Sequence, residues 1–384
     1  MSRASASSGG VGKFAHRHVT LDPSTGDASP VPPRLAQSTA LLAVIMPLHP
    51  PKLPWAQRFL QSISLCNVQR LGWFPVFSTA SDLALAANHS VLTSAIVDTA
   101  LAIVAKPARV NPVTSKKWLA LRYVFASSRI PFAMALDAET VFSRRAPADL
   151  LLRWLRTAHG GTGVSTPVRL VYGTAEFAKD KWWPPLNGGG RPILRATHES
   201  CDMLRASAAE RARLNASRVR DHFWWFGDAP LYEHGAFLAF WERLQWRPSV
   251  GGSLSWYAFD HVAYECYLLL SGHSRLVSVD SMLSEASLVR SSGTGDLCCG
   301  MEIASLAEQR SLTQAYGHGF LWVHATMRAR AAVEGDRLPA TPRLLTYHID
   351  RCLDGGACRP KQRDRLRDLL GRCGDEDTAT DNQT

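Results

Sequence analysis

Absences narrow this chain first. It contains no uninterrupted apolar run of the roughly twenty residues that a membrane-spanning helix needs. The stretch from Ser38 to Leu48 is apolar but short, and it ends in His49-Pro50-Pro51-Lys52. Residues 1–35 are rich in Ser, Gly, Ala and Pro and lack the apolar core of a secretory leader, so they are expected to form a disordered segment. None of the eight cysteines (Cys66, Cys201, Cys266, Cys298, Cys299, Cys352, Cys358 and Cys373) belongs to a C-x-x-C pair, which argues against a structural zinc site. No G-x-G-x-x-G follows the first apolar strand, and Gly188-Gly189-Gly190 is not followed by Gly-Lys-Ser/Thr. Those gaps argue against a dinucleotide-binding Rossmann enzyme and a P-loop nucleotidase. The net charge is +10, yet there is no run of five Lys or Arg and no DNA- or RNA-binding motif, so no nucleic-acid partner is expected. Internal repeats and sustained heptads are also lacking.

What is present is ordinary globular material. The 384 residues are 46% hydrophobic and 20% charged, enough for a sizeable core. Arginine is abundant from Met327 onward, which suits a solvated basic face or an anionic partner such as a nucleotide phosphate or a membrane surface. Twelve tryptophans are many for this length. Trp182, Trp183, Trp224 and Trp225 stand in polar contexts, where an indole either stacks on a sugar or base or simply buries its apolar body. Cys352, Cys358 and Cys373 lie in a polar tail and would pair in an oxidising lumen. Asn88-His89-Ser90 and Asn215-Ala216-Ser217 match the N-glycosylation acceptor pattern. Neither feature fixes the compartment, which stays open between cytoplasm and secretory lumen.

Periodicity gives an alternation of strands and helices. Leu41 to Pro47 reads as a buried strand, Trp55 to Leu65 as a helix, and Trp73 to Ser78 as a second strand. Ser81 to Ala87 reads as a short helix capped by Ser81. Leu101 to Ala105 reads as a third strand. A helix capped by Thr114 or Ser115 then runs to Phe125, with apolar Trp118, Leu121, Val124 and Phe125 at helical spacing. Ile130 to Leu136 is the next strand, and Pro147 to Leu155 another helix. Such alternation predicts an α/β fold, a mostly parallel sheet flanked by helices. Further on, Val168 to Tyr172 and the aromatic run from Phe223 read as strands. His198 to Arg218, Tyr232 to Arg243 and a segment opened by Asp260 read as helices. One domain over residues 36–350 and a polar tail over 351–384 are expected.

The most informative stretch is Met134-Ala135-Leu136-Asp137-Ala138-Glu139. An apolar strand ends in two carboxylates at i and i+2, spacing that puts both on one strand face. In open α/β sheets the carboxyl ends of the strands are where ligands bind. Two hard oxygens there suit Mg²⁺ or Mn²⁺. The plain alternative is two surface acids at a strand end.

Three separated pieces share one pattern: Val44-Ile45-Met46-Pro47-Leu48-His49-Pro50-Pro51-Lys52, Ser115-Lys116-Lys117-Trp118-Leu119-Ala120-Leu121, and Met134 to Glu139. In that order they resemble the GT-A-fold nucleotide-sugar transferase-like proteins of algae, protists, bacteria and large viruses. Trp224-Trp225-Phe226-Gly227-Asp228 and Phe259-Asp260 are similar to that group's second half. The resemblance implies a GT-A-like fold and a metal-assisted glycosyltransferase. Its partners would be a nucleoside-diphosphate-sugar donor and a hydroxyl acceptor on a glycan, protein or lipid.

The resemblance also assigns roles. Asp137 and Glu139 would hold Mn²⁺ or Mg²⁺, with Glu139 departing from the group's usual second Asp. Lys116, Lys117 and His49 would sit at the donor phosphates or nucleotide. Asp260, or failing that Asp228, would be the base of an inverting transfer. His318, His324 and His348 are candidates for a further metal ligand. Each has a plainer reading: solvated first-turn lysines, a structural turn at His49, an N-cap at Asp260. Two rivals stand beside the enzyme. One is a non-catalytic relative that binds nucleotide or glycan; the other is an interaction protein using the basic tail and exposed Trp.

Overall fold

Seven strands make the main sheet: β1 (His18–Leu21), β2 (Leu42–Pro47), β3 (Leu71–Phe77), β4 (Thr99–Ala100), β5 (Ala102–Ala105), β6 (Phe132–Ala135) and β9 (Leu231–Glu233). The computed structural model describes residues 18–23, 25, 27, 32–87, 97, 99–106, 111–138, 140–142, 147–149, 151–152, 169–173, 198–216, 231–245, 258–272, 274–278 and 344–346. The spatial order is β1-β5-β3-β2-β6-β9, with β4 beside β3. Every pair is parallel except β6 with β9. The mostly parallel α/β sheet expected from sequence is the fold observed.

The central strands are apolar at nearly every position because helices cover both faces. Toward one face point Ala43, Ile45, Phe74, Val76, Ala133 and Ala135, in one core with Trp118, Leu121 and Phe125 of α4 (Pro112–Ser127). That core also takes in Phe237 and Phe240 of α6 (His234–Leu244) and Tyr264 of α7 (Asp260–Leu270). Toward the other face point Leu42, Val44, Met46, Trp73 and Met134, packed with Phe59 and Ile63 of α2 (Leu53–Leu65) and Leu83 of α3 (Ala80–Ala87). Odd and even positions of β2 thus enter different cores, as a period of two requires.

Remaining elements frame this sandwich. They are α1 (Pro33–Ala36), α5 (Ala208–Ala216), β7 (Thr140–Phe142) antiparallel to β11 (Leu344–Thr346), and β8 (Arg169–Gly173) parallel to β10 (Ser274–Ser278). A disulfide joins Cys201 to Cys266 of α7, both buried. The pairing expected among Cys352, Cys358 and Cys373 falls outside the described residues, as do Trp182, Trp183, Trp224 and Trp225. No helix among the described residues is long and apolar enough to cross a membrane.

Several boundaries differ from the expectation, each for a local reason. His18–Leu21 is a strand paired with β5 rather than part of a disordered head; Val19 and Leu21 alone turn inward, too brief a pattern to stand out. Thr79, not Ser81, caps α3, accepting from the Asp82 N–H at 3.0 Å. The cap of α4 is Asn111, in the left-handed region at φ 55°, where Asn is tolerated. Its side chain accepts from the Thr114 N–H. Tyr232 begins no helix: Leu231–Glu233 extends the sheet edge, and Glu233 caps α6 through the N–H groups of Gly235 and Ala236.

Candidate functional site

The site forms where the sheet's carboxyl edge meets the starts of two helices. β2 and β6 run side by side with Ile45 opposite Ala135, and the Leu136 N–H donates to the Ile45 carbonyl at 2.9 Å. Asp137 therefore emerges beside the end of β2, as expected. The strand itself stops at Ala135, and the Thr140 N–H closes a turn on the Asp137 carbonyl. Asp137 thus stands on a turn, not on a strand face, which removes the i, i+2 argument for its convergence with Glu139. Glu139 lies outside the described residues. His49 follows β2 at the same edge; it is exposed and precedes the short 3-10 turn Pro50–Lys52.

α4 brings the lysines. Lys116 and Lys117 were expected in the helix's first turn, but the helix opens at Pro112, so they lie in the second. Both are buried. Successive helical residues are turned by about 100°, so the two ammonium groups diverge. Lys116 Nζ donates to Ser78 Oγ, just past β3, at 3.2 Å. Burial pushes its pKa down to about 8, partly offset by the Asp82 carboxylate. Lys117 Nζ lies 3.6 Å from Asp137 Oδ1 and 3.6 Å from Asp260 Oδ1. One ammonium joins a carboxylate after β6 to a carboxylate opening α7.

Asp260 is held from several sides. Its plainer reading was an N-cap, but Phe259 holds the cap position and Asp260 is the first helical residue, 3% exposed. Tyr232 donates its hydroxyl to Asp260 Oδ2 at 2.7 Å. The tyrosine is fixed by ring contacts with Tyr264 and Phe237. Burial alone would raise the Asp260 carboxyl. Lys117, His261 and Tyr232 outweigh it and hold the group well below the usual carboxylate range. His261 is a neighbour the sequence reading missed: it is buried, with Nδ1 4.0 Å from Asp260 Oδ1 and Nε2 meeting no partner among the described residues.

The two helix starts are bolted together. Asn111 Nδ2 and Thr114 Oγ1 both donate to the Ala258 carbonyl, at 2.6 and 3.1 Å, and the Phe259 N–H donates to Ser200 Oγ at 3.2 Å. The Cys201–Cys266 bond ties the segment after Ser200 to α7 one turn and a half beyond Asp260. These contacts fix Lys117 and Asp260 relative to each other. Asp228, His318, His324 and His348 lie outside the described residues.

Among the described residues, no three His, Cys, Asp or Glu side chains gather in a way that would hold a metal. Asp137 keeps 29% of its side chain exposed, with Lys117 nearest one oxygen. A single, partly exposed hard oxygen fits a cation that draws its other ligands from water and a diphosphate, as Mg²⁺ does.

No family model and no curated protein matches the chain. Crystal structures of S. aureus TarS align with it at 10% identity. TarS 1–349 gives a TM-score of 0.30, covering 76% of this chain and 82% of that one. TarS gives 0.29, covering 76% and 50%. Scores this low carry no argument about this chain.

Proposed function

We propose that the chain is a glycosyltransferase of GT-A type, moving a sugar from a nucleoside-diphosphate-sugar donor to a hydroxyl of a glycan, protein or lipid. The observation that supports it most is the Lys117 bridge between Asp137 and Asp260 at the carboxyl edge of a parallel sheet. Charged groups are costly to gather in a buried place, so such clusters favour functional sites. Asp137, with Glu139, would hold Mn²⁺ or Mg²⁺. That ion would supply positive charge to the departing diphosphate. His49, exposed beyond β2, would meet the nucleotide. Lys116, engaged with Ser78, is a support rather than a phosphate ligand.

An inverting transfer needs a base for the acceptor hydroxyl. Asp260 was the first candidate, but a buried carboxylate held this far down is a weak proton acceptor. We assign it a positioning role and move Asp228 to first candidate. Asp228→Asn should then lower kcat by a factor on the order of 10² to 10⁴ with donor affinity kept. A full loss with Asp260→Asn and none with Asp228→Asn would reverse the assignment.

The sealed seat of Asp260 also favours a second reading, a relative that binds donor without turnover. A panel of nucleotide sugars tested for Mn²⁺-dependent thermal stabilisation decides binding. Ligand at a hundred times Kd should add about 2.7 kcal/mol. No stabilisation by any donor rejects both readings; stabilisation without release of nucleoside diphosphate selects the second.

A further inference from the structure

We propose that this chain matures in an oxidising secretory compartment and that Asn215 there receives an N-linked oligosaccharide on its side-chain amide. Each of the three cysteines among the described residues, Cys66, Cys201 and Cys266, is disulfide-bonded. Such bonds form and persist where thiols are oxidised, and they are rare in a reducing cytosol. The Cys201–Cys266 bond is buried, so it closes as the chain folds rather than on a finished surface. Its two thiols give two protons and two electrons to an oxidised disulfide carrier. The same compartment attaches glycans to Asn-x-Ser/Thr, and Asn215-Ala216-Ser217 is such a triplet.

α5 turns Asn215 outward. Its inner side is set by Leu214, buried in the core with α7, by Arg213, which donates to the Leu270 carbonyl at 2.9 Å, and by Glu210, paired with Arg243. Successive helical residues turn by about 100°, so Asn215 shares the opposite stripe with Ala208, Arg211 and Ala212. All four are exposed. Arg211 donates to the Ala206 carbonyl at the helix start, which leaves small alanines beside the carboxamide. A glycan there meets solvent and displaces no packed group. Asn215 is also one residue from the end of α5, where helices fray, so the amide is reached without unwinding the packed turns. In the transfer, Asn215 Nδ2 bonds to the anomeric carbon of a polyprenyl-diphosphate-linked oligosaccharide. The bond from that carbon to the phosphate oxygen breaks, polyprenyl diphosphate leaves, and Nδ2 gives one proton to a base of the glycosylating enzyme. Asn88, in the other triplet, lies outside the described residues.

The test is the full chain made in insect cells behind a cleavable secretory leader, digested with peptide-N-glycosidase and read by peptide mass. Wild type is expected to carry a glycan at 215, and its removal should leave Asp in place of Asn215. Asn215→Gln and Ser217→Ala should abolish that glycan, whereas Ser217→Thr should keep it. Asn215→Gln should melt within a few degrees of the deglycosylated wild type, because the side chain is exposed. An unmodified Asn215, or a glycan there that survives Ser217→Ala, overturns the modification site. The same chain made in a reducing cytosol tests the compartment. It should hold Cys201 and Cys266 as free thiols and melt below the deglycosylated secreted chain; equal melting with both thiols free overturns that part. Neither readout uses a nucleotide sugar, so failure here leaves the transferase reading standing.

Discussion

Lys116 and Lys117 are adjacent in the chain, yet they serve two different regions. Lys116 reaches back to the end of β3, where it finds one hydroxyl and only the longer-range field of Asp82. Lys117 reaches across to the end of β6 and the start of α7, where two carboxylates meet it. Both side chains lost water on folding. One received a partner charge at close range and the other did not. Burial alone is therefore no guide to what a buried lysine contributes; its sign depends on the opposite charge delivered by other elements.

Substitutions break that comparison most sharply at Lys117. Lys117→Met should cost about 3–5 kcal/mol in urea unfolding at pH 7, because the buried Asp260 carboxylate loses its ammonium partner. Adding Asp260→Asn should recover most of the loss. A single-variant cost no larger than that of a surface change would show that the bridge does not form.

The Cys201–Cys266 bond belongs to the same region and should come next. Replacing both cysteines with serine should cost about 2–4 kcal/mol. Reductant should cost wild type more than the variant by a comparable amount, since Cys66 is also disulfide-bonded and stays so in the variant. Equal stability with and without reductant would mean the two thiols are not joined.

Lys116→Met should move stability the other way. A lysine whose pKa falls to about 8 on folding is penalised while it is charged in both states, so the penalty is complete below about pH 8. The penalty fades as pH rises toward the ordinary lysine value of about 10.4, where the amine is neutral in both states. At pH 7 the variant should exceed wild type by on the order of 1–3 kcal/mol, and the gap should close by about pH 10.5. A gap that widens with pH contradicts this account. Smallest of all, Asp137→Asn should change stability by about 1 kcal/mol or less, since its carboxylate is partly solvated.

How much of this was legible in the sequence follows from what each signal depends on. The β2, β3 and β6 strands and the α4 helix were readable because periodicity and apolar runs are local. β1 was not, since two inward residues make no pattern, and its support comes from β5 more than eighty residues later in the chain. At the site, Asp137 was found for its place after an apolar strand, and Asp260 through the resemblance of Phe259-Asp260 to the GT-A-like group. Their shared ammonium was invisible, because the bridge requires β6, α4 and α7 to be docked. His261 carried no distinguishing spacing at all. The same docking overturned the solvated-lysine reading: with Asn111 rather than Thr114 or Ser115 as the cap, the two lysines of the polar-looking Ser115-Lys116-Lys117 run lie in the second turn, buried between the end of β3 on one side and Asp137 and Asp260 on the other.

In the proposed reading Asp137, steadied by Lys117, is the donor-side carboxylate of a sugar transferase. The most direct measurement is release of nucleoside diphosphate from a panel of nucleotide sugars with Mn²⁺, comparing wild type with Asp137→Asn. Wild type should release nucleoside diphosphate from at least one donor in a Mn²⁺-dependent way, reduced at least about a hundredfold in a variant that melts within a few degrees of wild type. Release that is unchanged by Asp137→Asn, or no release from any donor, would contradict it.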